Sequence, residues 1–241
     1  MTLYLIGIGL EEKDLSLKAL EKVRKCKYVY LDNYTSVGID IRNLEKLINK
    51  KIIIANRELL ENKSNELIKK AKKDNVAILV YGDCLSATTH ISLILECEKL
   101  KVEYEIIHGI SILTAISETG LSLYNFGKTA SIPFENKNIK VPYEILMNNK
   151  KLEMHTLFLL DLNPAEKKFL SIKECINYLL KNGMNKNEFI IGCARLGRKD
   201  RFIKFGTAEK LKGIDFGKPP YCLVIPGELH FVEEEFLEKF K

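Results

Sequence analysis

The sequence predicts an α/β protein of two domains. A parallel sheet with helices on both faces spans residues 1–109, and an α+β domain with a mixed sheet spans residues 110–241. Three observations predict it. As far as residue 107, short apolar runs rich in β-branched residues alternate with amphipathic stretches of helical period, and strict βα alternation implies parallel strands covered by helices. Beyond Ile112 that rhythm breaks and the strands follow in mixed order. The length, 241 residues, suits one large domain or two small ones, and 46% hydrophobic with 29% charged residues is an ordinary globular composition.

In chain order, residues 3–8 read as the first strand, ending in Gly7-Ile8-Gly9-Leu10. Leu17, Leu20, Val23 and Cys26 then recur at helical spacing. Residues 28–31 form a second strand, closed by Asp32-Asn33-Tyr34-Thr35-Ser36, and a helix over 41–49 leads to a strand over 51–55 and a Lys-rich helix over 64–73. The apolar run 76–81 suits a strand buried on both faces. It breaks at Gly82-Asp83, passes through the small, hydroxyl-rich segment Ser86-Ala87-Thr88-Thr89, and enters a helix over 89–100. Residues 104–107 are the last strand of this half, and the domain boundary falls near His108–Ser111.

The second half opens with a short helix over 112–118, stopped by Gly120. Strands are expected at 129–133 and 156–160, with a polar loop at 135–142. A helix over 171–181 ends at Gly183. Strands at 188–193 and 201–206 form a hairpin across Arg195–Asp200, and a short helix at 208–211 precedes a strand at 222–225. An acidic amphipathic helix over 232–240 follows.

Several function classes are disfavoured. No apolar run approaches the roughly 20 residues that span a bilayer, and the N-terminus lacks a signal-peptide pattern. The net charge of +6 comes without an Arg/Gly-rich arm or a basic run interleaved with aromatics, so direct nucleic-acid binding is not expected. The basic surface suits docking on an acidic partner. Six scattered cysteines show no C-x-x-C spacing, and four dispersed histidines form no H-x-x-x-H pair, so no metal site is expected and the thiols read as reduced and buried, as in a cytoplasmic protein. Gly7-Ile8-Gly9 suggests a dinucleotide fingerprint, with Asp32 as the ribose acid. Glu12 stands where the third glycine belongs, which puts charge and bulk against a pyrophosphate.

In open α/β sheets ligands bind at the carboxyl ends of strands. Leu10, the turn Gly82–Ser86 and Ser111-Ile112 hold such positions in the first half. Asp161-Leu162, Leu196 and Tyr221 flank strands in the second half, and if the halves face each other these loops line one small-molecule cleft.

Segments along the whole chain resemble the diphthine synthases, diphthamide-biosynthesis methyltransferases of the tetrapyrrole-methylase superfamily. They are Leu3–Leu10, Tyr30–Ser36, Gly82-Asp83-Cys84-Leu85-Ser86-Ala87-Thr88-Thr89-His90, Gly120–Gly127, His155–Asp161, Ala194-Arg195-Leu196-Gly197 and Leu229-His230-Phe231. The A-T-T-H run and the late A-R-L-G argue against a methylase of corrins or porphyrins, and the intact cofactor positions argue against a non-catalytic translation-factor binding module. The length looks closer to the archaeal form than to the longer eukaryotic one.

The resemblance implies two α/β domains with S-adenosyl-L-methionine in the cleft between them, S-adenosyl-L-homocysteine as product, and a homodimer. Its cofactor contacts carry over to Leu10, Asp83, Ser86, Ser111, Ile112, Leu162, Leu196 and Tyr221. The implied substrate is a histidine of translation elongation factor 2 bearing a 3-amino-3-carboxypropyl group, whose amino nitrogen is methylated repeatedly. A sulfonium methyl is already activated, so the resemblance implies neither a metal nor a covalent nucleophile, and catalysis by alignment of the reacting atoms. The attacking amine must lose protons in the first two transfers. His90, Asp32 and Tyr34 are of a type to accept them, although helix capping by His90 and loop ordering by Asp32 and Tyr34 are the expected roles. Two positions depart from the family pattern. Cys84 stands where proline is usual, so a more mobile turn is expected. Tyr221 stands where histidine is frequent, and either ring can flank an adenine.

Overall fold

The structure is a computed structural model and describes residues 1–34 and 38–241. Thr35 and Ser36 of the predicted second-strand turn lie outside the described residues. The chain divides into two compact units, Met1–Leu113 and Thr114–Lys241.

The first unit is built from β1 (Thr2–Gly7), α1 (Leu17–Arg24), β2 (Tyr28–Asp32), α2 (Ile41–Ile48), β3 (Ile53–Ala55), α3 (Ser64–Ala71), β4 (Val76–Val80), α4 (Ile91–Leu100) and β5 (Glu103–Ile107). All five strands are parallel, in the order β3-β2-β4-β1-β5, so β4 is central and β1 lies between β4 and β5. The period-2 alternation of side chains sorts each strand into two cores. Leu3 and Leu5 of β1 join Val76, Ile78 and Val80 of β4 under α3 and α4. Tyr4 and Ile6 join Ala77 and Leu79 under α1 and α2. Helices thus cover both faces, as the continuous apolar runs require. Local signals fix the helix starts: the Ser16 hydroxyl accepts from Ala19 N–H at α1, and the Asp40 carboxylate accepts from Arg42 and Asn43 N–H at α2. A single π-helical turn, Glu58–Asn62, precedes α3 and is not foreseen from the sequence.

A short helix, α5 (Ile112–Ala115), carries the chain into the second unit. There follow β6 (Ala130–Ile132), α6 (Val141–Lys151), β7 (Thr156–Leu160), β8 (Leu162–Asn163), β9 (Lys168–Phe169), α7 (Ile172–Lys181), β10 (Phe189–Ala194), β11 (Phe202–Thr207), α8 (Ala208–Leu211), β12 (Tyr221–Ile225) and α9 (Phe231–Leu237). The main sheet has the order β11-β10-β12-β7-β6. Only β6–β7 is parallel, so the sheet is mixed, and β10–β11 is the expected hairpin. One face packs Phe158, Ile190 and Leu223 against Cys175, Ile176 and Leu179 of α7, with Leu146 of α6 and Leu211 of α8 beside them. A full capping box starts α7, with Ser171 and Glu174 bonded reciprocally.

Helix α6 and the small β8–β9 hairpin occupy stretches for which the sequence reading assigns no element. Tertiary anchoring explains α6. Buried Asn149 exchanges bonds with the Lys128 backbone (3.1 and 2.9 Å) and donates to Thr156 Oγ1 (3.0 Å), which ties the helix to β7. No helix of the described residues is long and apolar enough to cross a membrane.

Candidate functional site

Three loops leave the carboxyl ends of β1, β4 and β5 side by side, and glycines set their spacing. A Cβ on Gly7 would stand 2.7 Å from Gly109 N and from Gly82 O, so this close backbone approach tolerates no side chain. Gly9 and Gly82 exchange both backbone hydrogen bonds (3.1 and 2.8 Å). Gly82 itself (φ +70°) is buried, and the neighbours of its ideal Cβ stand in ordinary van der Waals contact at 3.8 Å and beyond. The nearest atoms are the backbone of Ile110 and Ser111 and, at 4.0 Å, Leu10 Cδ2. The result is a closely packed crossing of main chain flanked by half-buried Leu10, Ser86 and Ile112.

Asp83 ties these loops together. Its Oδ1 accepts from Leu85 N–H (2.9 Å) and Ser86 Oγ–H (3.1 Å). Its Oδ2 accepts from Gly109 N–H (3.1 Å) and lies 2.7 Å from His108 Nδ1. An ionised carboxylate only accepts, so Nδ1 carries the proton in this arrangement. Burial pushes the Asp83 pKa up, and the bonds from Leu85, His108, Gly109 and Ser86 more than reverse that, holding it below the ordinary value. The Asp83 side chain is only 8% exposed and that of His108 is 71% exposed. Of the four partners, His108 is therefore the one that a ligand donor can replace without unfolding a loop.

Leu10 is placed by Asp14, whose Oδ2 accepts from Leu10 N–H (2.8 Å) and Glu11 N–H (3.0 Å). Ser111 is buried and its Oγ accepts from Leu113 N–H (3.1 Å) at the start of α5. Cys84 is fully buried in the first unit's core, its Sγ 3.6 Å from Leu5 O on β1 and 3.7 Å from Ile107 O on β5. Through these two contacts the thiol anchors the turn.

The other expected contacts sit at one end of the second sheet. Leu162 opens β8, just past β7, and its N–H donates to Asp161 Oδ1 (2.9 Å). Leu196 is buried and follows β10, and Tyr221 is the first residue of β12. Ala194 pairs with Tyr221 across the strands, and Arg195 N–H donates to Pro220 O (2.9 Å), which brings Leu196 and Tyr221 together.

The expected helix-capping role of His90 does not hold. Its side chain makes no cap bond. The ring is buried with Nε2 3.3 Å from Asp32 Oδ2, and neither ring nitrogen has hydrogen-bond geometry to a partner. Asp32 orders its loop as expected, Oδ1 accepting from Tyr34 N–H (2.9 Å). The Tyr34 hydroxyl donates to Glu61 (3.1 Å), and burial pushes its pKa up to about 12, which makes it a poor proton acceptor as the phenol. Asp14 and His108 are absent from the sequence-derived set. The signal for Asp14 was its spacing of four residues from Leu10; His108 is recognisable only once β4 and β5 are known to flank β1.

Comparison with known proteins assigns the family. Residues 2–212 match the Tetrapyrrole (Corrin/Porphyrin) Methylases. The chain is 41% identical to the diphthine synthase of Methanosarcina mazei, over 98% of this chain and 95% of that protein. It belongs to the tetrapyrrole methylases. Within them it falls among the diphthine synthases. It is 36% identical to the diphthine methyl ester synthase of Dictyostelium discoideum, over all of this chain and 98% of that protein. A crystal structure of diphthine synthase superposes with a TM-score of 0.93 at 37% identity, covering all of this chain and 96% of that one. The chain is thus an enzyme of the methyltransferase class, with a methyltransferase role in diphthamide biosynthesis, and both the parallel and the mixed sheet are those of a tetrapyrrole methylase.

Proposed function

We propose that the protein uses S-adenosyl-L-methionine to methylate, repeatedly, the amino group of the 3-amino-3-carboxypropyl-histidine of translation elongation factor 2, acting as a cytoplasmic homodimer. The observation that carries this reading is the full-length similarity to diphthine synthases, which covers every loop discussed above. The proposed cofactor contacts are Leu10, Asp83, Ser86, Ser111 and Ile112 in the first unit and Leu162, Leu196 and Tyr221 in the second.

The residues present fit that cofactor. Half-buried Leu10 and Ile112, beside the Gly82 turn, offer apolar flanks to a flat group. Asp83, held ionised by its hydrogen bonds, is the acceptor for a cationic amino group once His108 yields its place. The aromatic ring of Tyr221 offers a stacking surface, and its hydroxyl is held by Gly217 O. When bound, S-adenosylmethionine supplies an activated methyl on a sulfonium centre. The chain's own contribution is then to position the amine and to keep it neutral for attack.

The test offers labelled S-adenosylmethionine with two acceptors: elongation factor 2 bearing the modified histidine, and a corrin or porphyrin precursor. Label on the elongation factor alone is the expected result. Label on the tetrapyrrole alone would replace this reading with that of a ring methylase.

A further inference from the structure

We propose that Arg195 is a positioning residue for the cofactor, a clamp that sets the places of Leu196 and Tyr221. This rests on the cofactor reading above. Arg195 sits directly after β10 with φ +55°, a left-handed conformation in which a β-carbon is strained. Its side chain is only 11% exposed, and three of its five N–H donors meet main-chain carbonyls. Nε–H donates to Asp200 O (3.0 Å), and Nη1 donates to Phe216 O (3.0 Å) and to Lys218 O. Nε also lies 2.9 Å from the Asp200 carboxylate. One guanidinium therefore joins the β10–β11 turn to the loop that leads into β12.

That loop delivers Tyr221. Gly217 (φ +69°) packs beside the guanidinium, with Nη1 3.6 Å from its ideal Cβ, and Gly217 O accepts the Tyr221 hydroxyl. The Arg195 N–H meets Pro220 O, the residue before Tyr221, while Leu196 is the residue after Arg195. Release of the guanidinium would free the carbonyls of Asp200, Phe216 and Lys218 and loosen the loop whose Gly217 O holds the Tyr221 hydroxyl, and with it the turn that carries Leu196. A lysine cannot substitute, because a point cation on a flexible stem does not reproduce a planar fork that meets several fixed carbonyls. The clamp touches no reacting atom, so its effect falls on cofactor binding rather than on the transfer step.

The experiment measures S-adenosylhomocysteine binding to the full chain by calorimetry, with the initial-rate dependence on S-adenosylmethionine, for the unmodified protein, Arg195→Ala, Arg195→Lys and the control Lys199→Ala on the same exposed turn. Both Arg195 variants are expected to bind at least about tenfold more weakly, the scale of one charged hydrogen bond lost. KM for the cofactor should rise while kcat at saturation stays within about twofold, the signature of lost ground-state binding. Added methylguanidinium should restore binding to Arg195→Ala, which a merely destabilised fold would not show. Affinity within twofold of the unmodified protein in a folded Arg195→Ala variant, or in Arg195→Lys if the alanine variant does not fold, overturns the proposal. Absence of binding by the unmodified protein would instead remove the cofactor reading on which it rests.

Discussion

His108 Nδ1 lies 2.7 Å from Asp83 Oδ2, and the two side chains sit at opposite extremes of exposure. The exposed imidazole occupies one of four acceptor positions on a buried carboxylate whose other three hold the loop backbone and Ser86. The two residues should therefore behave differently when removed. Asp83→Ala leaves the half-buried N–H groups of Leu85 and Gly109 without their acceptor, at about 1 kcal/mol for each. His108→Ala removes a solvent-facing ring and should cost well under that. Thermal denaturation of both variants checks the order, and calorimetry with S-adenosylhomocysteine should show Asp83→Ala losing most of the affinity while His108→Ala retains it.

Acid should weaken the first unit through Asp83. Its carboxyl is held below the ordinary value in the fold, so the unfolded chain takes up the proton first. The stabilisation is complete above the unfolded aspartate value of about 4 and is lost as the pH falls through the depressed one. Denaturant melts of the unmodified protein and Asp83→Ala over pH 5 to 2 should converge toward the acid end; a constant gap would contradict the assignment.

The second unit carries a histidine that should respond at milder pH. His155 is fully buried, and its Nδ1 accepts from Gly227 N–H (2.9 Å), which fixes the proton on Nε2, 3.5 Å from Glu233. Burial lowers the His155 pKa more than Glu233 raises it. Protonation would also set Nδ1–H against the Gly227 N–H. A lowered folded value means that stability is whole above the unfolded value of about 6.5 and is lost as the pH falls below it. Stability should drop from pH 7 to pH 5, and His155→Phe, although less stable at pH 7, should show a shallower slope.

All six cysteines are free and buried. Burial pushes the Cys84 thiol up to about 11, with the Asp83 charge adding to it, and the Cys26 thiol up to about 12. Thiolates are the reactive form. A thiol-specific reagent at pH 8 should therefore titrate almost none of them in the native protein and six after denaturation, and rapid reaction of Cys84 would show that its turn opens readily.

Much of this is legible in the sequence because both-face burial writes continuous apolar runs: β4 is visible in Val76–Val80 alone, and its flanking glycine marks the turn. Helix α6 is not legible, since it depends on Asn149 reaching Lys128 and Thr156, contacts that local periodicity does not encode. At the site, Asp83 is readable as a carboxylate at a strand end. That its oxygens are already filled is not, because two of its partners, His108 and Gly109, come from the loop after β5, with α4 and β5 intervening. His90 misleads for the same reason: its place at a helix start suggests a cap, and only the sheet order reveals Asp32 behind it.

The most direct test is intact mass spectrometry of elongation factor 2 carrying the 3-amino-3-carboxypropyl-histidine, before and after incubation with the purified protein and S-adenosylmethionine. The account predicts stepwise gains of methyl mass on the modified histidine, three for a fully methylated amine and four if the carboxylate is esterified as well. An unchanged mass, under conditions in which the protein binds S-adenosylhomocysteine, would contradict it.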